Sequence, residues 1–136
     1  QGLAKTIVKY QDPQSGTWYQ VTDQGAREGN YLESSATALF VYTLAKAINK
    51  GYLGNEYIEP TKKAFDGMVK TFTRLEEDGS YTITNCCAVA GLGGDSKRYR
   101  DGSFEYYISE PIIENDPKSV GSFILAAIEY EKLTTK

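Results

Sequence analysis

Two stretches of this chain are apolar on nearly every side of a helix. Between Ala36 and Ile48 only Thr37, Thr43 and Lys46 are neither apolar nor aromatic. Between Val120 and Ile128 only Gly121 and Ser122 interrupt the run. A helix of that kind has to be buried on most of its sides. Neither stretch approaches the roughly 20 apolar residues that cross a bilayer. The cover therefore has to be other protein, and no membrane partner is expected.

The segments around them differ in kind. From Gly2 to Gln11, residues Leu3, Ala4, Ile7 and Val8 recur at helical spacing. Asp12-Pro13 ends that helix, because the residue before a proline avoids the α region. From Glu56 to Arg74, residues Ala64, Phe65, Met68, Val69 and Phe72 form a one-sided stripe, with Pro60 near the start. The two enveloped helices are expected from about Tyr31 to Lys50, closing at Gly51, and from Pro117 to about Leu133 behind an Asp116 cap. Asn30 and Glu33 are spaced as a capping pair for the first of these. The order is amphipathic, enveloped, amphipathic, enveloped. That alternation suits a mainly α fold forming part of an α/α toroid, in which an outer ring of helices covers an inner ring. On pattern alone, a plain helical bundle fits as well.

From Asp78 to Glu110 the helical pattern stops. Residues 79–84 and 103–108 alternate and are rich in β-formers, which predicts two short strands paired as a hairpin over one end of the helices. Between them, Ala90 to Asp95 is a glycine-rich turn without the strand-then-helix setting of a phosphate loop. A connection this long in a compact domain usually has a function. The 136 residues, 40% hydrophobic and 24% charged, fit one globular domain over 1–136.

Composition excludes several chemistries. Fifteen basic residues against 18 acidic give a net charge of −3, and they are scattered. No basic face exists to neutralise phosphates, so no nucleic acid is expected. Histidine is absent, and the two cysteines, Cys86 and Cys87, are neighbours that rarely bond to each other. A protein-only zinc site and Ser-His or Cys-His catalysis are excluded with them. No metal and no cofactor are expected. Nothing after Gln1 reads as an export signal.

Several blocks then combine. Residues 15–23 (SGTWYQVTD) and 30–38 (NYLESSATA) are followed by 87–93 (CAVAGLG), 99–103 (YRDGS), 109–111 (SEP) and 115–126 (NDPKSVGSFILA). In this order they resemble the unsaturated glucuronyl and rhamnogalacturonyl hydrolases of glycoside hydrolase families 88 and 105, over roughly the last third of the family's length. The resemblance implies a closed toroid of six inner and six outer helices. It also implies an oligosaccharide substrate ending in an unsaturated uronic acid. An aspartic acid on a preceding segment protonates the C4=C5 double bond, water adds at C5, and the hemiketal collapses to release the sugar. The family's catalytic aspartate, its histidines and its Arg/Trp clamp would all lie upstream of residue 1, so no catalytic residue is assigned here.

The resemblance makes Trp18 a wall of the sugar site, since aromatic faces stack on pyranose rings, with Tyr19 and Gln20 beside it. Trp18 equally suits the core. Ser34 and Ser35 open an inner helix whose free N–H groups suit a carboxylate. Glu33 is better explained as a cap. Arg100 offers a charge for an anionic substrate or for a surface ion pair. Asp101, Glu105, Glu110 and Asp116 invite a paired-carboxylate mechanism, which sequence spacing cannot establish. The chain is expected to be part of an enzyme, with a non-catalytic carbohydrate-binding or assembly module as the alternative. Its greasy helices predict either a missing N-terminal half or self-association through residues 33–50 or 117–133.

Overall fold

The computed structural model describes residues 2–25, 27–94 and 99–135. It contains helices α1 (Gly2–Lys9), α2 (Ser34–Asn49), α3 (Ile58–Phe72), α4 (Phe104–Ser109) and α5 (Pro117–Thr134). Four short strands accompany them: β1 (Thr73–Leu75), β2 (Tyr81–Ile83), β3 (Cys86–Cys87) and β4 (Ile112–Ile113).

Helix α2 is the centre of the packing. It buries Ala38, Val41 and Leu44 against Trp18, Met68, Phe72, Phe123 and Ala126. Its relation to α5 is parallel. Ser34 meets Ser119 near the starts of the two helices, Oγ to Oγ at 2.9 Å, and Asn49 meets Glu129 toward their ends. Helices α1 and α3 run the other way. The start of α1, Leu3 and Ala4, lies by Leu44 and Ala47, while its end is tied to the start of α2 through Trp18, whose indole N–H donates to the Ile7 carbonyl and whose backbone N–H donates to the Thr37 hydroxyl. The end of α3 returns to the start of α2 through Thr84 and Asn85, whose backbone atoms bond Phe72 and Ser34. Midway along α3, Phe65 stacks on Tyr130 of α5 with ring centroids 3.8 Å apart. Two parallel helices backed by two antiparallel ones form one arc of an α/α toroid.

The two enveloped helices are not equally covered. On α2, Leu39 is the exposed large apolar residue; on α5, Ile124, Leu125 and Ile128 all are. The arc therefore has an open side along α5.

Several local expectations need correction. Residues 103–108 do not form a strand. Ser103 accepts a hydrogen bond from the Tyr106 N–H at 3.1 Å and starts helix α4. Phe104 is buried, with the Arg27 guanidinium 3.8 Å above its ring. Here a cap and one cation–π contact override the β-preference of an aromatic run. The strand at residues 81–83 pairs instead with Thr73–Leu75, in the register Thr73–Ile83. The expected third helix thus ends at Phe72. Helix α2 begins at Ser34 rather than Tyr31, because Leu32 forms a β-bridge with Tyr19. Asn30 does not cap it. Its carboxamide bonds Val21 and Gln24 within the preceding loop, and Glu33 is the cap. The glycine-rich turn holds a bridge between Gly93 and Arg100; its Asp95 lies outside the described residues.

Candidate functional site at the start of the inner helices

Because α2 and α5 run parallel, both begin at the same end of the arc. The described parts of the two long connections, within 10–33 and 73–116, gather there. The first is pinned by tight backbone approaches. Asp12 closes its turn by accepting the Ser15 N–H and hydroxyl, each at 2.7 Å. The Ser15 carbonyl then rests on α3 at Gly67, where a Cβ would lie 1.9 Å from that oxygen. Only glycine permits this contact.

Glu33 is the hub. It is 1% exposed, and its carboxylate accepts from the N–H groups of Ser35 (3.1 Å), Ala36 (2.7 Å) and Cys87 (3.0 Å) and from the Ser35 hydroxyl (2.8 Å). A buried carboxylate has to be compensated in this way. One side chain thereby caps α2 and fastens β3 across the helix start. Glu33 also uses up the N–H groups that the sequence offered to a substrate carboxylate. Ser34 N–H is taken as well, by the Asn85 carbonyl at 3.0 Å. The first turn of α2 is a closed structure, not an open anion site.

Of the other sequence candidates, Gln20 and Ser35 join this hub. The Gln20 carboxamide donates to the Cys87 sulfur at 3.2 Å, so Gln20 and Ser35 are joined through Cys87 and Glu33. The Ser34 hydroxyl points between the inner helices to Ser119. Tyr19 is half-buried, its ring folded under Gly25 of its own loop. Trp18 is fully buried. Its indole N–H donates to the Ile7 carbonyl at 2.8 Å, and Phe40 meets its ring edge-on at 5.1 Å. In this chain Trp18 presents no ring face to solvent. Arg100 stands apart, its Nε 3.6 Å from the buried carboxylate of Glu110.

Some neighbours carried no sequence signal. Tyr31 lies beside Cys87, and burial first, then that thiol, pushes its phenol well above the usual tyrosine range. Burial, followed by the Glu33 charge, likewise raises the Cys86 thiol, which suits an inert core thiol. The Tyr106 hydroxyl accepts the Gly91 N–H at 3.0 Å and braces the glycine-rich loop on α4. Each of these contacts joins residues far apart in the chain.

The acids that the sequence singled out for a paired-carboxylate mechanism have structural partners. Asp101 accepts the Ser103 N–H, Glu105 pairs with Arg27, and Asp116 caps α5. Among the described residues no group of three or more Cys, Asp or Glu side chains is arranged to hold a metal, and no helix is long and apolar enough to cross a membrane.

Comparison with known proteins agrees with this geometry. The model of the family described as Glycosyl Hydrolase Family 88 matches residues 1–134. The protein Atu3128 of Agrobacterium fabrum is 38% identical over 120 residues, covering 85% of this chain and 52% of its own length. A 24.9 kDa protein of the picA locus of Rhizobium radiobacter matches equally. The chain thus spans about half the length of these curated relatives. Among solved structures, a family 105 glycoside hydrolase of C. acetobutylicum superposes with a TM-score of 0.90 at 47% identity, covering 94% of this chain and 35% of its own. A family 88 glycosyl hydrolase of Bacteroides vulgatus does so with a TM-score of 0.63 at 28% identity, covering 96% and 33%. A match along essentially the entire chain, together with the parallel inner helices, establishes that the chain belongs to glycosyl hydrolase family 88.

Proposed function

We propose that the chain forms one wall of the pocket of a glycoside hydrolase acting on oligosaccharides that end in an unsaturated uronic acid. In this proposal a proton from an aspartic acid outside the chain reaches the C4=C5 bond, and water adds at C5. Gln20 and Ser35 supply hydrogen bonds at the pocket wall, with Trp18, Tyr19 and Ser34 holding them from behind. In this reading Arg100 is the cation that pairs with the uronate; its guanidinium Nε lies 3.6 Å from Glu110, too far for a tight bidentate pair.

The observation that carries this proposal is that Glu33 and the four acids singled out by the sequence are already engaged. Glu33 accepts four hydrogen bonds, Asp101 and Asp116 close a turn and a cap, and Glu105 and Glu110 pair with arginines. A general acid needs a proton it can deliver to substrate, and these groups are committed to the fold. That supports a donor supplied from elsewhere in the ring.

The test follows the ultraviolet absorbance of the conjugated double bond in an unsaturated disaccharide. The isolated chain is expected to leave it unchanged. A protein joining this chain to the first two-thirds of a family 105 toroid is expected to bleach it, with Arg100→Ala raising KM more than it lowers kcat. Turnover by the isolated chain would overturn the external acid. Cleavage of saturated glycosides only would overturn the substrate class.

A further inference from the structure

The backbone of Gln20 is fixed where the first connection meets the start of α2. Tyr19, the residue before it, forms a β-bridge with Leu32, and the Gln20 N–H donates to the Tyr31 carbonyl at 2.8 Å. Cys87, 67 positions away, is fixed as firmly. Its N–H goes to Glu33 at 3.0 Å, it pairs with Ile112 in the β3–β4 ladder, and the Ala88 N–H donates to the Pro111 carbonyl. Cys87 is only 6% exposed. Two rigid backbones thus hold the Gln20 carboxamide against the buried sulfur, Nε2 to Sγ at 3.2 Å.

The sulfur decides which way that carboxamide faces. A thiol has one proton, and the Cys87 S–H donates it to the Val89 carbonyl at 3.1 Å. Toward Gln20 the sulfur can only accept, so an N–H has to face it. A carbonyl turned to the sulfur would set lone pair against lone pair. The Gln20 oxygen therefore points away from Cys87. Among the described residues nothing donates to that oxygen, and it is not a buried orphan, so it is open to solvent. An amide oxygen accepts and cannot donate. It suits a sugar hydroxyl and does not suit a uronate carboxylate, which at neutral pH has no proton to give.

We infer that Cys87 is a positioning residue, whose sulfur holds the Gln20 carboxamide with its oxygen outward to accept a hydroxyl of the bound sugar. The inference rests on the pocket proposed above and separates two roles within it. Gln20 takes a hydroxyl, and the carboxylate is left to Arg100. A free glutamine side chain has to be immobilised when a ligand binds, whereas one already tied to sulfur loses little further freedom. The same tie keeps the carboxamide from turning its NH₂ outward, where it would select an acceptor on the ligand instead.

The protein that joins this chain to the first two-thirds of a family 105 toroid carries the test. With isotope-labelled glutamine, the Gln20 side-chain protons are identified by their absence in Gln20→Ala. One of them is expected to exchange with solvent about tenfold slower than the other. Cys87→Ala is expected to remove that difference, and Cys87→Ser, which keeps an acceptor, to retain it. On the unsaturated disaccharide, Cys87→Ala is expected to raise KM by about three- to tenfold with kcat little changed, and Cys87→Ser to restore it. In a Gln20→Ala background, Cys87→Ala is expected to add nothing to KM, because a residue that acts through Gln20 has nothing left to position. Where Cys87→Ala does not fold, Cys87→Val, closer in volume and without an acceptor, repeats the comparison. Equal exchange of the two protons, or a Cys87→Ala effect on KM that persists without Gln20, would overturn the positioning role. Slow exchange in a folded joined protein that leaves the disaccharide intact would keep the tie to sulfur but overturn the pocket, and with it the sugar hydroxyl as ligand.

Discussion

Replacing Glu33 with alanine removes the carboxylate that caps α2 and fastens it to β3. Two losses add. The first is the cap on Ser35 and Ala36, worth about 1 kcal/mol at a typical N-cap. The second is the acceptor for the buried Cys87 N–H, whose orphaning costs about 2 kcal/mol. The sum is about 3 kcal/mol, which for a domain of this length lowers Tm by roughly 10 °C. Glu33→Gln keeps one acceptor oxygen and turns an N–H₂ toward the remaining donors, so it is expected to fall between alanine and the parent. Urea denaturation at fixed protein concentration measures the change, since association would add to apparent stability. The midpoint should move with the slope unchanged. Amide exchange adds a local readout, in which Cys87 N–H protection drops more than that of the α2 interior. A cost for Glu33→Ala below about 0.5 kcal/mol, within the noise of a surface substitution, would refute the hub role. So would unchanged Cys87 protection.

Three further outcomes follow from the packing. Gly67→Ala, which at an exposed helix interior adds up to about 1 kcal/mol of stability, is expected here to destabilise by about 1–3 kcal/mol by thermal melt, because the new Cβ would meet the Ser15 carbonyl at 1.9 Å; a neutral or stabilised variant refutes the close approach. The Lys118 ammonium, then its backbone N–H, hold Asp116 below its ordinary value of 3.8. A depressed folded-state pKa stabilises above the unfolded value and is lost as pH falls through the folded one. Stability is therefore expected to fall on acidification below 3.8 with a shallower acid limb in Asp116→Asn, and superimposable limbs would remove Asp116 from the account. Trp18 is the single tryptophan, so intrinsic fluorescence reports it alone; a blue-shifted emission resistant to iodide is expected, and solvent-like emission would contradict its burial.

Much of this was legible in the chain itself. The four long helices and the Asp116 cap follow from periodicity and from Asp-Pro, which are local chemistry. The family blocks were legible as well, because residues such as Trp18 and Glu33 meet fixed partners in the fold and leave a recognisable string. The helix Phe104–Ser109 was not legible: an aromatic run scores as β, and only Ser103 with Arg27, 77 positions away from Phe104 in sequence, makes it helical.

By itself the sequence determined the alternation of one-sided and enveloped helices, because the spacing of apolar residues is written residue by residue along the chain. Tertiary structure alone decided where the polar groups are spent. Whether the α2 N–H groups face a ligand or a glutamate depends on where Cys87 and Asn85 return, and whether Trp18 offers a face or fills the core depends on Ile7 and Phe40. Those contacts join residues tens of positions apart or pack side chains that no periodicity aligns. Burial, which sets the electrostatic worth of each polar group, exists only once the chain has closed around it.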